Sequence, residues 1–489
     1  MPQLDFARLN EPHYCLCNAH VPRPLLPDSL VLPEPAGILA HDNLARVDLE
    51  ILDGTIRSIR PSGGAAANGA AEADAIPAID LKGGMVWCGL IDLHTHLDKG
   101  HVWGRSPNVS ATFEDALEII RADASKHWDA EDVYRRIEFG LKCSYAHGTT
   151  AIRTHIDSYG DQAAVSWSVF HALQQDWGDR LTLEAVSLVT LDYYCTPEGE
   201  ILADLVAEMG GILGGVTMMG PDLETQLDRL FTLAIDRGLD IDLHTDESGD
   251  PDDITLRYVA EAALRHDFRG QIVCGHCCSL AVQSDEEAQK TIDLVKAARI
   301  GVVSLPMCNL YLQDRNQKSG IRGQGSGVRD QGAGVGGQEL ASTPQHPNTP
   351  TLQHAPTRTP RWRGVTLLHE LKHAGVPVAI ASDNCRDPFY GFGDHDGLEV
   401  FTQGVRIAQL DAPYGDWSRV ITTTPADLMG LPDAGRIAPG LPADLILCRG
   451  RYFSELLARP QGDRIVLRRG KPIDTTLPDY AELDDLLLK

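Results

Sequence analysis

The sequence lacks the features of an exported or membrane-spanning protein. Residues 1–30 contain no basic segment followed by an apolar one, as a signal peptide would require, and no uninterrupted apolar run approaches the length of a membrane span. The 11 cysteines are an odd number without the regular spacing of a disulfide framework. We therefore expect reduced thiols, a cytoplasmic location and no membrane partner.

Positive charge is also scarce. The chain has 43 Lys and Arg against 69 Asp and Glu, which gives a formal net charge of -26. Such a surface repels phosphates, so we expect no nucleic-acid partner. A hydrophobic fraction of 43% and a charged fraction of 23% are ordinary for a globular protein, and 489 residues can bury one large core.

From residue 85 onward, apolar runs alternate with amphipathic segments. Continuous apolar runs are typical of strands that are buried on both faces, as in parallel sheets. Two segments, 130–146 and 223–237, have the apolar spacing of amphipathic helices. This alternation predicts an α/β fold of the closed (β/α)₈ barrel type. A doubly wound open sheet is the alternative, but no Gly-rich phosphate turn follows the first strand. The eight predicted strands are 85–93, 149–155, 183–189, 215–219, 239–244, 271–276, 300–305 and 376–382.

The two ends of the chain have a different pattern, which is typical of short strands with alternating apolar and polar residues. Residues 47–59 contain two such strands around an Asp-Gly turn, and residues 435–447 and 464–468 have the same character. We predict a small β-sandwich built from both chain ends (1–84 and 431–489) around a catalytic barrel (85–430). Residues 316–361 are rich in Gly, Gln, Ser, Pro and Thr, which predicts a disordered insertion. A lid over the barrel is the alternative.

Histidines and carboxylates stand at the ends of five of the eight predicted strands. His94 and His96 follow the first strand, and side chains two apart on a strand point the same way, so both can reach one ion. Each group alone has an ordinary explanation: two surface histidines, a buried core histidine at His276, a helix cap at Asp383. Because barrel enzymes build their sites from strand ends, the combination indicates one site. The other groups are His155 with Asp157, His244 with Glu247, His276, and Asp383.

A second cysteine and histidine group lies near the N-terminus. Cys15 and Cys17, with His13 and His20, could bind a metal in principle. Nothing completes a four-ligand spacing, so we predict a reduced, packed pair of thiols there. We also predict that Cys277 and Cys278 are packing residues.

These strand-end motifs resemble those of the amidohydrolase superfamily, and within it the cytosine deaminase group, which includes the N-isopropylammelide aminohydrolases. The resemblance covers roughly residues 40–310 and 360–470. The segments that carry it are His94-Thr95-His96-Leu97-Asp98-Lys99, Arg153-Thr154-His155-Ile156-Asp157, His244-Thr245-Asp246-Glu247, Gly275-His276 and Ser382-Asp383-Asn384-Cys385-Arg386-Asp387-Pro388.

The resemblance implies a ligand set and catalytic roles. One divalent metal ion, Zn²⁺ or Fe²⁺, would be held by His94, His96, His244 and Asp383. Glu247 would shuttle protons, His276 would hydrogen-bond the attacking water or the developing oxyanion, and Asp383 would also receive a proton. Dinuclear members carry a carboxylated lysine at the end of strand four. Residues 216–220 contain none, which favours a mononuclear site.

The chain departs from the cytosine deaminases where they recognise the ring. Thr190 stands in the place of their glutamine, and a hydroxyl cannot make the paired contacts of a carboxamide. Phe389 replaces their ring-stacking tryptophan. These departures argue against cytosine itself and leave open a different cyclic amidine or an N-substituted amino-heterocycle as the substrate. We place Thr190, Phe389, Lys99 and His155 among the substrate contacts, with Arg386 as a further candidate.

The expected function is removal of ammonia or an amine from a small nitrogen heterocycle, such as a pyrimidine, a triazine or a related cyclic amidine. Two alternatives remain: a cyclic amide hydrolase that opens the ring, and a barrel that has lost activity and serves as a scaffold. The presence of Glu247 argues against the scaffold. A homo-oligomer is what the family implies.

Overall fold

A computed structural model describes residues 6–63, 76–314 and 359–487. Almost all of the predicted insertion, 316–361, therefore lies outside the described residues. The strands are β1 (His13–Pro22), β2 (Leu44–Leu52), β3 (Thr55–Pro61), β4 (Ala78–Asp80), β5 (Val86–Cys88), β6 (Leu90–Thr95), β7 (Thr149–Asp157), β8 (Thr182–Leu188), β9 (Leu213–Val216), β10 (Ile241–Thr245), β11 (Ile272–His276), β12 (Gly301–Ser304), β13 (Val378–Ile380), β14 (Leu445–Leu447), β15 (Ile465–Arg468) and β16 (Lys471–Pro472).

Helices alternate with the central strands. They are α1 (Ile38–His41), α2 (Phe113–His127), α3 (Ala130–His147), α4 (Gly160–Trp177), α5 (Pro197–Glu208), α6 (Leu223–Arg237), α7 (Thr255–Arg265), α8 (Asp285–Ala297), α9 (Pro306–Leu312), α10 (Leu368–Ala374), α11 (Gly397–Ala408), α12 (Tyr414–Trp417), α13 (Thr423–Leu428), α14 (Phe453–Leu456) and α15 (Asp484–Leu487). The predicted helix over 223–237 coincides with α6, which ends at Gly238 in the left-handed conformation (φ 66°). Within the described residues, no helix combines the length and the apolar character that a membrane span needs.

The eight strands β6 to β13 are parallel and follow one another in space. Strands β6, β7 and β8 form one sheet, and β9 to β13 form another. Isolated parallel bridges join Thr190 to Val216 and Thr95 to Asp383, at the two places where the sheets meet. The strand order therefore closes on itself, which agrees with the predicted α/β fold. Residues at the carboxyl ends of all eight strands meet at one end of this ring.

The prediction of one strand over 85–93 is wrong. The apolar run contains two strands, β5 and β6, which separate at Gly89. Strand β5 pairs antiparallel with β14 near the C-terminus, whereas β6 begins the parallel ring. A Cβ atom on Gly89 would lie 2.1 Å from Cγ2 of Thr150, so only glycine allows this close approach. Both strands are buried, and hydrophobicity alone does not mark the break between them.

The chain ends form two four-stranded sheets, with the orders β3-β2-β1-β4 and β16-β15-β14-β5. A parallel bridge from His20 to Met85 and an antiparallel bridge from Thr55 to Pro442 connect N-terminal and later segments. Both chain ends thus contribute β structure beside the ring. The sandwich arrangement and the domain bounds at 84 and 430 stay predictions.

The cysteine and histidine group in β1 does not converge. The Sγ atoms of Cys15 and Cys17 lie 3.5 Å apart, and both thiols are free. Nε2 of His13 contacts Oε1 of Glu50 at 3.0 Å, whereas Nδ1 of His20 contacts the carbonyl oxygen of Arg451 at 2.8 Å. These geometries favour the predicted packed pair over a metal site.

Candidate active site

Four side chains from three separate regions meet at the carboxyl end of the ring. Nε2 of His96 lies 3.1 Å from Nε2 of His244 and 3.3 Å from Oδ1 of Asp383. Nε2 of His94 lies 3.7 Å from the same oxygen. Donor atoms at the corners of a tetrahedron with 2.1 Å bonds are separated by roughly 3.4 Å, so this spacing suits a single small cation.

Three hydrogen bonds, from two backbone amides and one hydroxyl, hold the Asp383 loop against β6. The carboxylate of Asp92, two residues before His94, accepts from the amide (3.0 Å) and the hydroxyl (2.6 Å) of Ser382. The amide of Asp383 donates to the carbonyl oxygen of His94 at 2.9 Å. On the other side, a Cβ on Gly275 would come within 2.9 Å of Cε1 of His94, so the ring needs the glycine beside it.

The donor set fits a cation because its polar atoms are buried and lack other partners. His94 and Asp383 are fully buried, and neither oxygen of Asp383 nor either nitrogen of His94 has a hydrogen-bond partner among the described residues. A buried polar group left without a partner costs about 1–3 kcal/mol, and a charged one costs more. A divalent cation would satisfy Nε2 of His94 and the carboxylate of Asp383 together.

The electrostatics of the site agree with this donor set. Burial, with the charge of other histidines, lowers the pKa of His94, His96 and His244, so the imidazoles are neutral and able to ligate. Burial also raises the pKa of Asp383 to about 7. A bound cation would oppose this last shift by stabilising the carboxylate.

Glu247 and His276 stand beside the cluster and share one amide. Nδ2 of Asn309 donates to Oε1 of Glu247 (3.1 Å) and to Nδ1 of His276 (3.0 Å). Because Nδ1 accepts this bond, the neutral imidazole carries its proton on Nε2. That Nε2 is buried and has no partner in the described parts of the chain, so it can donate to an oxygen atom at the site.

The two groups have opposite pKa shifts. Burial first, and then the charge of Asp383, raise the pKa of Glu247 well above its ordinary value. Burial lowers the pKa of His276 to about 3, so this ring stays neutral. Oε1 of Glu247 lies 3.3 Å from Nδ1 of His276, and its side chain keeps 15% of its surface exposed. The raised pKa makes Glu247 a stronger base than an ordinary carboxylate, at a point that a small molecule can reach.

Sequence reasoning missed Asn309 and Gln313. Asn309 is fully buried in α9, directly after β12, and Gln313 donates to the carbonyl oxygen of Glu247 at 3.1 Å. Their signal in the sequence was weak: two amides in an otherwise apolar segment that follows a strand. Both amides position Glu247, one through its carboxylate and the other through its backbone.

A cavity of about 490 Å³ opens beside these groups. Helix α2 supplies one apolar wall with Phe113, Leu117 and Ile120, and the ring of Phe389 packs edge to face against that of Phe113, with ring centroids 5.6 Å apart. The polar side chains of the lining include His96, Lys99, Arg121, Asp157, Thr190, His244, Glu247, His276 and Asn384. The cavity thus has aromatic walls and a polar floor.

Lys99 and Phe389 both line the cavity. Nζ of Lys99 lies 2.8 Å from Oδ1 of Asp157 and 5.4 Å from the centre of the Phe389 ring. Burial alone would lower the pKa of Lys99. The negative charges of Asp157 and Asp98 outweigh burial and raise this pKa, so the side chain stays a charged ammonium. The carboxylate of Asp387 accepts from the amide of Phe389 at 2.8 Å and from Nδ2 of Asn384 at 2.7 Å. Asp387 therefore fixes two residues of the lining.

Thr190, His155 and Arg386 have different surroundings. Thr190 lines the cavity, and its Oγ1 accepts from the hydroxyl of Tyr159 at 3.2 Å. His155 is fully buried behind the cluster, 4.0 Å from His94 between ring centroids, and does not belong to the cavity lining. The Arg386 guanidinium lies over the ring of Tyr480 at 4.3 Å. Among these three, only Thr190 can touch a molecule in the cavity.

Comparison with known proteins places the chain in a family. Residues 85–477 match the model of the Amidohydrolase family. The chain is 47% identical over 451 residues to a pterin deaminase of Rhizobium rhizogenes (strain K84 / ATCC BAA-868), with 92% of each protein covered. It is 24% identical over 386 residues to an N-isopropylammelide isopropyl amidohydrolase of Pseudomonas sp. (strain ADP), covering 76% of this chain and 81% of the other.

A solved structure agrees at the level of the fold. The crystal structure of 5-methylcytosine deaminase from Klebsiella pneumoniae, liganded with 5-fluorocytosine, matches with a TM-score of 0.70 at 23% sequence identity. The match covers 95% of this chain and 98% of the other. The resemblance stated from the strand-end motifs is confirmed: the chain belongs to the Amidohydrolase family.

Proposed function

We propose that this chain is a metal-dependent aminohydrolase that removes the exocyclic amino group of a pterin and releases ammonia. The observation that carries the proposal is the position of Glu247 and His276 beside four convergent donor side chains, of which His96 and His244 line the cavity. It is a hydrolase of carbon–nitrogen bonds other than peptide bonds, as the family and the relative at 47% identity support.

The ligands in this proposal are His94, His96, His244 and Asp383, and the ion is one Zn²⁺ or Fe²⁺. A divalent cation there would supply Lewis acidity, which lowers the pKa of a water. Imidazole and carboxylate donors suit either metal. The absence of a lysine in residues 216–220 supports a single ion.

The chain's own residues then handle the protons. Glu247, poised by its raised pKa, accepts a proton from the attacking water at its carboxylate and returns it to a ring nitrogen of the substrate. The departing amine receives the second proton by the same route, and Asp383, whose charge acts on Glu247, can share it. Nε2 of His276 donates to the oxygen that becomes bonded to carbon.

A pterin suits the cavity better than cytosine does. Phe113 and Phe389 together form an aromatic wall that can contact a flat two-ring heterocycle, and the volume of about 490 Å³ exceeds what one ring fills. Thr190 has its hydroxyl engaged by Tyr159 and cannot make the paired contact of a carboxamide. Lys99, with Asn384, is positioned to bind ring or carbonyl acceptors of the substrate.

Several broader expectations belong to the same proposal. We place the protein in the cytoplasm, without a nucleic-acid partner, as a homo-oligomer with the β-sandwich at its chain ends. The net charge of -26 and the scattered, free cysteines of the described residues support the first two.

Product analysis tests the proposal. Purified protein loaded with Zn²⁺ or Fe²⁺ is incubated with pterin, with a panel of amino-pyrimidines and with amino-triazines, while ammonia and the ring product are quantified by mass spectrometry. We expect one ammonia per pterin consumed and an intact bicyclic ring. A ring-opened product without ammonia would identify a cyclic amide hydrolase instead. If the protein binds the metal but forms no product from any of these substrates, the scaffold function is the alternative that remains.

A further inference from the structure

A second group of metal-ligating side chains lies outside the active site. His101, Cys385 and His395 are buried, with 1–3% of their surfaces exposed, and each offers one ligand atom within 4.8 Å of the other two. The ring centroids of His101 and His395 are 5.8 Å apart. None of the three residues lines the catalytic cavity or belongs to the four ligands proposed above.

Both imidazoles lack hydrogen-bond partners. Nδ1 and Nε2 of His101, and Nδ1 and Nε2 of His395, are buried without any partner among residues 6–63, 76–314 and 359–487. A buried polar nitrogen without a partner costs about 1–3 kcal/mol, and here four occur in two adjacent rings. Buried histidines are ordinarily satisfied, so this pattern itself indicates a missing ligand.

The cluster is closely packed, and the nearby charged groups that act on it include Asp394, Arg386 and Arg136. The His101 ring contacts the Phe139 ring with centroids 4.7 Å apart. A Cβ on Gly140 of α3 would come within 3.2 Å of Nε2 of His395, and a Cβ on Gly393 would lie 3.5 Å from Sγ of Cys385. The glycine at position 140 leaves the imidazole room, whereas a Cβ at position 393 would make only an ordinary van der Waals contact with the thiol.

The cluster also joins the two loops that carry catalytic and cavity residues. His101 lies in the loop after β6, two residues beyond Lys99, and Cys385 lies two residues beyond Asp383. The amide of His101 donates to the carbonyl oxygen of Cys385 at 3.1 Å, and the amide of Trp103 donates to that of Arg386 at 2.8 Å. An ion at the cluster would crosslink these loops through side chains as well.

We propose that His101, Cys385 and His395 form a second, structural site for a thiophilic divalent cation such as Zn²⁺, distinct from the catalytic one. Two imidazoles and a thiolate are the donor types that zinc prefers, and a water can complete four-coordination. Binding displaces the thiol proton of Cys385 to solvent and forms the metal–sulfur bond, without any change of oxidation state. The ion holds Lys99 and Phe389 in place by fixing the two loops on each other.

Cobalt substitution distinguishes the two sites, because only the second contains sulfur. The full-length protein is stripped of metal, titrated with Co²⁺ and followed by near-ultraviolet absorption, while total Zn²⁺ capacity is measured by mass spectrometry. We expect two equivalents of Zn²⁺ and a thiolate-to-cobalt charge-transfer band. Cys385→Ser and His395→Gln should each lose the band and one equivalent. His244→Ala should keep the band and lose the other equivalent.

Cys448→Ser is the matched control, because Cys448 is an equally buried free thiol outside the cluster. It should keep both equivalents and the band. A wild-type protein that binds one equivalent without any thiolate band would overturn the proposal, and this result needs no variant that folds. So would a Cys385→Ser protein that keeps two equivalents. Failure of pterin turnover alone would leave the second site standing, since the metal count does not depend on activity.

Discussion

At the scale of single residues, the site depends on one amide that serves two catalytic groups. Nδ2 of Asn309 reaches both Glu247 and Nδ1 of His276, which fixes the protonation of the histidine while it holds the carboxylate. The same contact assigns different roles to the two groups: His276 stays a neutral donor, and Glu247 exchanges protons. Substitutions of Glu247 and Asn309 therefore separate proton transfer from positioning.

Glu247→Gln removes the proton acceptor and keeps the size of the side chain. We expect kcat to fall by about 10²–10⁴-fold, the usual contribution of a general acid–base group, with bound metal unchanged. The measurement is steady-state deamination together with metal content. Normal turnover by the variant would remove Glu247 from the mechanism.

Asn309→Leu keeps the branched shape of the side chain and deletes the donor. The loss of two hydrogen bonds of about 0.5–1.5 kcal/mol each corresponds to a roughly 5- to 150-fold decrease in kcat, because the His276 tautomer and the Glu247 position are no longer fixed. The metal content and KM should change little. An effect on metal binding larger than the effect on kcat would show that Asn309 acts on the ligands instead.

Some of these residues could be predicted from the sequence and others could not. His94, His96, His244 and Asp383 follow buried strands, and a barrel brings strand ends together, so their convergence follows from pattern and topology. Asn309 acts through contacts between α9 and two other loops, which no local pattern encodes. His155 carried a strong motif, yet its place behind His94 rather than at the cavity depends on which way the strand faces.

At the scale of elements, Gly89 divides one apolar run between two sheets. β5 joins the C-terminal strands and β6 starts the ring, and the turn between them passes against Thr150. The predicted ends of the strands at the cavity agree with the observed ends to within a few residues, because a strand that is buried on both faces has a continuous apolar run. The partner of β5 was not predictable, since β14 lies more than 350 residues away.

The described residues on either side of segment 315–358 are hydrogen-bonded to each other. Oδ2 of Asp314 accepts from the amide of Trp362 at 3.1 Å, and it also accepts from the amide of Arg361. Replacing residues 316–358 by a short Gly/Ser linker should therefore keep the fold, since the two ends already meet.

The expected result for this deletion is an unchanged melting temperature within about 2 °C and unchanged bound metal. Circular dichroism and metal analysis make the comparison with the full chain. A folded, metal-loaded variant without activity would assign the segment a role at the cavity, as a lid would have.

At the scale of the whole molecule, one buried ion pair connects the C-terminal strands with the helices of the ring. The Arg464 guanidinium donates to both carboxylate oxygens of Asp396, and the distance from Nη1 to Oδ1 is 2.7 Å. It also donates to the carbonyl oxygen of His147 at the end of α3. Asp396 also caps α11 by accepting from the amide of Leu398. Both side chains are at most 10% exposed, so the loss of one partner leaves a buried charge.

Because of this ion pair, the free energy of unfolding depends on pH in the acid range. Burial alone would raise the pKa of Asp396, but the hydrogen bonds and charge of Arg464 outweigh it and hold the pKa below its ordinary value. A lowered folded pKa stabilises the protein above the unfolded value of about 3.9, and this stabilisation is lost as the pH falls through the folded pKa.

Asp396→Asn should accordingly be less stable than wild type near neutral pH, by about 3–5 kcal/mol, because Arg464 keeps its charge. Below about pH 4 the difference should narrow, since only the wild type loses a charged partner. Urea unfolding across a pH series measures both free energies. Parallel pH profiles would contradict the assignment of acid sensitivity to this pair.

The central claim is that four side chains from distant parts of the chain bind one catalytic cation. Anomalous diffraction at the zinc or iron absorption edge, on crystals of the metal-loaded protein, tests it most directly. We predict a single peak within bonding distance of Nε2 of His94, His96 and His244 and of an oxygen of Asp383. Strong anomalous peaks elsewhere in the map, with none among these four side chains, would contradict the account.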